Sequence, residues 1–316
     1  MFNAPPDRTT EVFAQLPATL RAQDRHSRWA SERFVDAGMH SFLEGPSFDL
    51  SGHLMLVDIA HGRIFGISPE GQFSVRAQYD GEPNGLKIHR DGSIYIADHH
   101  HGIMRLAPGA ATPELICKGP RGGHFLGVND LFFARNGDLY FTDQGDSDLL
   151  APTGRVYRLR GDGTLDLLMQ GLPSPNGLVL SPDERTLFIA VTKANAIWRT
   201  PLRADGSVGR VGLFVQLSGS AGGGPDGLAM DEEGNLAVAH PLMGAVWLFS
   251  PSGEPLLRVR SCAGAATTNI AYGGADRRTL YITESHTGSV LRCPMDVAGK
   301  TMFSHSASSA GVSLEP

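Results

Sequence analysis

Ser174-Pro175-Asn176-Gly177-Leu178-Val179-Leu180, followed 50 residues on by Pro225-Asp226-Gly227-Leu228-Ala229-Met230-Asp231, decides the fold of this chain. Each stretch carries an amide or carboxylate, then glycine, then an apolar run. The same plan opens four other segments: Leu43-Glu44-Gly45-Pro46, Pro83-Asn84-Gly85-Leu86, Val128-Asn129-Asp130-Leu131 and Thr268-Asn269-Ile270-Ala271. The aligned residues Glu44, Asn84, Asn129, Asn176, Asp226 and Asn269 stand 40, 45, 47, 50 and 43 residues apart. A repeat of about 40 to 50 residues holding four strands is the signature of a β-propeller blade. The spacing therefore predicts an all-β, six-bladed propeller with four antiparallel strands per blade. Equivalent positions of the blades then meet around one central channel.

Working outward from each opening, a second stretch alternates apolar with small or polar residues: 53–59, 93–98, 138–143, 186–191, 235–240 and 279–284. Period-two alternation is a strand signal. Asp91-Gly92 and Asn136-Gly137 precede two of these stretches and suit tight hairpins, because both residue types tolerate positive φ. Third strands are expected at 62–68, 102–108, 154–160, 195–201, 244–250 and 288–294. Fourth strands are visible at 74–78, 114–117, 165–169, 211–216 and 256–259, but not in the sixth repeat. Segment 33–37, placed like 165–169, is expected to supply it, so that an N-terminal strand closes the last blade and leaves no open edge. The more polar 300–306 is the alternative. Residues 1–30 read as an arm, with a short helix over 11–23 as one option. Residues 31–303 read as the single propeller and 304–316 as a flexible tail.

The repeats fill positions 41–301 of a 316-residue chain, which leaves no room for a second core. With 41% hydrophobic and 19% charged residues the composition is that of a folded globular protein. The net charge of −6 and the lack of any Lys/Arg block argue against nucleic acid as a partner. No apolar run is long enough to span a membrane, and the first residues lack the plan of a secretory signal. Cys117, Cys262 and Cys293 are odd in number and carry no CxxC, which fits buried or semi-buried thiols in a reducing cytoplasm.

The channel mouth should collect two sets of residues. One is the ring of openings. The other is the ends of the second strands: Asp58 and His61, Asp98 through His101, Asp143 and Gln144, Thr192 and Lys193, His240, and Glu284 through His286. Carboxylate and amide oxygens are hard donors suited to a divalent cation, calcium first, with zinc, manganese, magnesium or iron as alternatives. Glu44 and Asp226 supply two negative charges, and Asn129 and Asn176 supply neutral oxygens. Asn and Asp before Gly also serve turns, and a turn role is expected at Asn84 and Asn269. His99, His100 and His240 are candidate substrate contacts. No GxSxG and no Cys–His pairing is present, which favours direct attack by water.

The openings resemble those of the senescence marker protein/gluconolactonase/luciferin-regenerating enzyme family of six-bladed propeller lactonases. The motifs that carry the resemblance are Glu44-Gly45-Pro46, Asn129-Asp130, Ser174-Pro175-Asn176-Gly177, Pro225-Asp226-Gly227-Leu228-Ala229-Met230-Asp231 and Thr267-Thr268-Asn269-Ile270-Ala271. The resemblance implies that Glu44, Asn176 and Asp226 hold the metal. It further implies that Asn129 contacts metal or substrate and that Asp226 is the general base. Members often carry Arg two residues before the Asn of Asn-Asp, and Gly-Lys after its Asp. Gly127 and Leu131-Phe132 stand there in this chain, so the Arg contact to sugar hydroxyls is absent, and the substrate implied is a sugar lactone or a different lactone.

The expectation from sequence is metal-assisted hydrolysis of a small-molecule lactone, with Asp226 or Asp130 taking the proton from water. A phosphotriesterase-like hydrolase is the alternative within the same chemistry. A non-catalytic ligand-binding propeller is the alternative of another class. The sequence leaves monomer and homo-oligomer undecided.

Overall fold

The computed structural model describes residues 4–24, 26–33, 38–219 and 222–306. It is a ring of six sheets. Blade 1 runs Leu43–Phe48, Leu54–Asp58, Arg63–Ile67 and Phe73–Gln78, each strand antiparallel to the next. Blades 2, 3 and 4 follow the same order, with innermost strands Pro83–Ile88, Val128–Phe133 and Pro175–Leu180. Blades 5 and 6 begin with Leu228–Met230 and Thr267–Gly273. Each innermost strand touches the next around the ring, and the sixth touches the first.

The core lies between blades. Leu178, Leu180 and Ile189 of blade 4 share one cluster with Phe132 of blade 3 and Val238 of blade 5. Ile270 and Leu280 of blade 6 join Ala237 and Ala239 of blade 5 in another. Alternate residues of one strand thus face opposite neighbouring blades, so period-two sequences with two apolar faces are what this architecture requires.

An N-terminal strand does close the last blade, but it is Glu11–Gln15, paired antiparallel to Ser289–Pro294. Most of segment 33–37 lies outside the described residues, and Arg33 ends a short helix, Arg28–Arg33. Glu11–Gln15 is not helical because its alternation is used: Ala14 and the following Leu16 are buried among Leu43, Leu54 and Tyr281. The 300–306 alternative is likewise no strand; Phe303–His305 form a 3-10 turn. A further strand, Asp7–Thr9, adds parallel to Pro255–Arg260 as a fifth member of blade 5. Asp7 grips Arg258 at 2.6 Å, and Glu11 grips Arg292 at 2.6 Å. The N-terminal segment thereby clasps blades 5 and 6 together.

All three thiols are free; Cys293 is buried, Cys117 half-buried and Cys262 exposed, the last against expectation. Among the described residues, no helix is long and apolar enough to cross a membrane.

Candidate active site

The openings start the innermost strands, and in five blades the pairing of that strand slips by a residue at this point: between Glu44 and Ser47, Pro83 and Gly85, Val128 and Leu131, Pro175 and Leu178, and Thr267 and Ile270. A β-bulge of this kind re-aims side chains. It breaks the alternation where the oxygen-bearing residues meet the axis. The glycines have a separate reason. A Cβ at Gly177 would lie 2.4 Å from the Asp226 carbonyl, and one at Gly227 would lie 2.2 Å from Asn269 Oδ1. Blade-to-blade contact at the axis leaves no room for a methyl group.

Four aligned residues, with the neighbouring Asp130, are brought together. Glu44 Oε2 accepts from Asn269 Nδ2 at 2.9 Å and from the Gly45 amide at 2.9 Å. The same Asn269 nitrogen lies 3.3 Å from Asp130 Oδ2. The Asn176 side chain faces Asp226 and favours its charged form. Glu44, Asp130, Asn176 and Asn269 are buried, and Asp226 is partly open to solvent. Burial raises the Glu44 carboxyl to about 7, with the Asp130 charge adding to it. Burial raises Asp226 well above the carboxylate range, with Glu44 and Asp130 both contributing. Glu44 and Asp226 thus share one small volume with each other and with the charge of Asp130. The nearest cation, Lys87, has Nζ 3.8 Å from Asp130 Oδ1.

Asn129 stands beside this group with its amide locked. Its Nδ2 donates to Gln144 Oε1 at 2.8 Å, and Gln144 Nε2 donates to Ser174 Oγ at 2.8 Å. That relay fixes the orientation of the Asn129 amide and leaves its Oδ1 outside the relay. Asn84 and Asn269 lie within strands, so neither is a turn residue.

The second-strand acids, expected at the mouth, serve another purpose. Asp143 accepts the amides of Leu126 and Gly127, at 2.6 and 2.9 Å. Asp98 accepts from the Tyr79 hydroxyl and from the amides of Glu82, His100 and His101. Glu284 accepts the amides of Ala266, His286 and Thr287. Each acid pins the segment that enters its blade's opening, which holds the ring residues in place.

The histidines divide. The His99 ring occupies the space above Gly127: a Cβ there would lie 2.2 Å from the ring. His100 is exposed and meets His101 edge to face, with ring centroids 4.9 Å apart. His240 is fully buried. Trp247 Nε1 donates to its Nδ1 at 3.3 Å, and its Nε2 has no partner among the described atoms.

Among the described residues, no three His, Cys, Asp or Glu side chains form a ready-made metal group. The converging set draws on amides as much as on carboxylates, and it fits a hard dication: oxygen donors, surplus negative charge, and burial that makes that charge costly. Asn269, aligned in the sequence but given a turn role there, is the residue whose part in the site the sequence reading missed. Its blade lacks the Asn-Gly pair, and its role comes from the contact with Glu44, which sequence spacing does not display.

A family described as "SMP-30/Gluconolactonase/LRE-like region" matches residues 42–286. The gluconolactonase of Zymomonas mobilis subsp. mobilis is 34% identical over 293 residues, covering 87% of this chain and 72% of that protein. Lactonase drp35 of Staphylococcus aureus is 32% identical over 224 residues, covering 68% of each. Among solved structures, regucalcin of Agrobacterium tumefaciens, described as a calcium-binding protein, superposes with a TM-score of 0.77 at 21% identity, covering 96% of this chain and 100% of that one. That last likeness is one of fold.

Proposed function

The chain belongs to the SMP-30/gluconolactonase/LRE-like family, and from that footing we propose that it opens a lactone by adding water, with the buried Glu44–Asp130–Asp226 group as its reaction centre. It is a lactone-hydrolysing enzyme acting on a carboxylic ester bond. The observation that carries the choice of centre is the convergence of three acids on the axis, with Asn269 bridging Glu44 and Asp130 and the charges of both acting on Asp226.

Glu44, Asn129, Asn176 and Asp226 are the residues that would hold a divalent cation, calcium before zinc, manganese, magnesium or iron. When bound, that ion supplies Lewis acidity toward the substrate carbonyl and neutralises the buried charge. The remaining work falls to the side chains. Asp226 is the base that takes a proton from water as the water oxygen adds to the carbonyl carbon; Asp130 is the second candidate. The ring C–O bond then breaks, and the departing alkoxide takes up a proton, giving a hydroxy acid. Asn129, fixed by the Gln144–Ser174 relay, orients the ring. His99 borders the same mouth.

The substrate reading is a lactone less polar than a sugar lactone. His99 fills the space that a side chain at position 127 would need. Leu126, Leu149, Leu150 and Leu242 are exposed on loops that open on this face. An apolar rim matches an apolar ring substituent.

A panel of aliphatic, aromatic and sugar lactones, with organophosphates alongside, tests the reading on chelated protein reconstituted with each dication. Ring opening restored by one preferred ion is expected. Failure to open any lactone with any ion, or turnover of organophosphates alone, would overturn it.

A further inference from the structure

The channel has a second end. Three residues beyond the aligned positions come Ser47, Lys87, Phe132, Val179, Ala229 and Tyr272, one from each blade. All six line a cavity of about 670 Å³ at the face opposite the openings. Ligand pockets commonly fall between about 300 and 1,000 Å³. Phe48, Met230, Ile270 and Met302 complete an apolar wall, and the segment carrying Lys300 and Thr301 crosses its outer side.

One charged group of the register is built into this cavity. Lys87 is 8% exposed, and its Nζ donates to the Leu86 carbonyl at 3.0 Å. Asp130 Oδ1 at 3.8 Å is beyond hydrogen-bond range. An ammonium has three N–H donors, so this one retains donors for an incoming acceptor. Lys300 is differently placed: Glu184 at 3.1 Å, the Leu180 carbonyl and the Phe132 ring engage it. Asp49, an acid of the lining, is taken up by Ser51 and His53. The cavity therefore joins a large apolar surface to one buried cation, whose ion pair with Asp130 is long at 3.8 Å and whose one hydrogen bond leaves donors over.

We propose that this cavity, at the other end of the channel from the lactone centre, is a second ligand site that takes an apolar monocarboxylate with its head group on Lys87 and its chain against Phe132, Val179 and Met230. A neutral molecule would leave the ammonium's spare donors unpaired, and a dianion would bring a second charge into an apolar wall. Charge-assisted bonds to a carboxylate are the strong kind. Lys87 also faces Asp130 of the proposed reaction centre, so the test reads ligand binding, which does not depend on the lactonase reading.

The test is titration calorimetry of the full chain with decanoate, and with decanol as the neutral match. Saturable binding of decanoate is expected, with decanol at least tenfold weaker. Lys87→Met should weaken decanoate at least tenfold and leave decanol unchanged, whereas Lys87→Arg should retain binding. Ala229→Trp fills the cavity and should block both probes; it keeps the test open should Lys87→Met fail to fold. No saturable decanoate binding, equal binding by Lys87→Met, or undiminished binding by Ala229→Trp would each overturn the assignment.

Discussion

Asn269 holds Glu44 at 2.9 Å across 225 residues of sequence. The bond spans the seam between the last and first blades, the place where the ring closes. One amide thus joins the integrity of the ring to the arrangement of its acids.

Asp226→Asn is expected to lower kcat/KM by at least ~100-fold, the usual scale for loss of a general base. The metal-free variant should melt above the metal-free parent, because a buried charge facing Glu44 and Asp130 is removed. Kinetics and calorimetry on the same preparations check both statements. Full activity of the variant with metal supplied would refute the role of Asp226.

Asn269→Leu should separate position from charge. No acid is lost, but Glu44 and Asp130 lose their common donor. A fall in kcat of about tenfold or more, with KM little changed, is the expected split if the amide sets geometry. An unchanged kcat would reduce Asn269 to a structural contact.

A dication that binds the folded chain alone must stabilise it, by about 2.7 kcal/mol at a hundredfold excess over Kd. Thermal melts with calcium, magnesium, manganese and zinc should therefore rank the ions independently of turnover. The rise should vanish in Glu44→Gln. A rise of equal size in that variant would move the ion elsewhere.

His240 gives a pH dependence with a definite sign. Burial lowers its imidazole from 6.5 to about 4, so the folded chain keeps it neutral where the unfolded chain takes a proton. Its contribution to stability is complete above pH 6.5, declines as pH falls toward 4, and is constant below that. The total is roughly 3 kcal/mol, at about 1.36 kcal/mol per pKa unit. Urea unfolding at several pH values should show a shallower acid decline in His240→Gln than in the parent. Parallel curves would mean that the imidazole is protonated in the fold.

Leu16→Ala tests the clasp. Leu16 is fully buried beside the closing strand, in the cluster that also holds Leu43 and Tyr281. Truncation of a buried leucine costs about 2–5 kcal/mol. Equilibrium unfolding should report a loss in that range, and a loss well below ~1 kcal/mol would show that the N-terminal segment adds little to closure.

The ring was legible because its repeat combines chemistry with spacing: an oxygen donor, a glycine and an apolar strand, renewed every 40 to 50 residues. Glu44, Asn176, Asp226 and Asn269 could be grouped from their register alone, and Asp130 stands next to the aligned Asn129. The role of Asn269 could not be read, since Ile270 stands where the glycine of its counterparts stands and its partner comes from blade 1. The closing strand was misplaced for a similar reason. Glu11–Gln15 mixes helix-forming and strand-forming residues, and only its neighbours Val290 and Leu291 settle the matter. The second-strand acids were expected at the channel mouth from their positions; their hydrogen bonds to backbone amides become visible only in three dimensions.

The strand at 11–15 finds its partner at 289–294, nearly the whole length of the chain later. During synthesis it leaves the ribosome early and waits, unpaired, until five blades have formed and the sixth has begun. Such a strand is a sticky end for that whole interval. Moving 7–15 behind residue 306, so that it is made beside its partners, should shorten the wait and raise the yield of folded protein without altering a single contact at the axis.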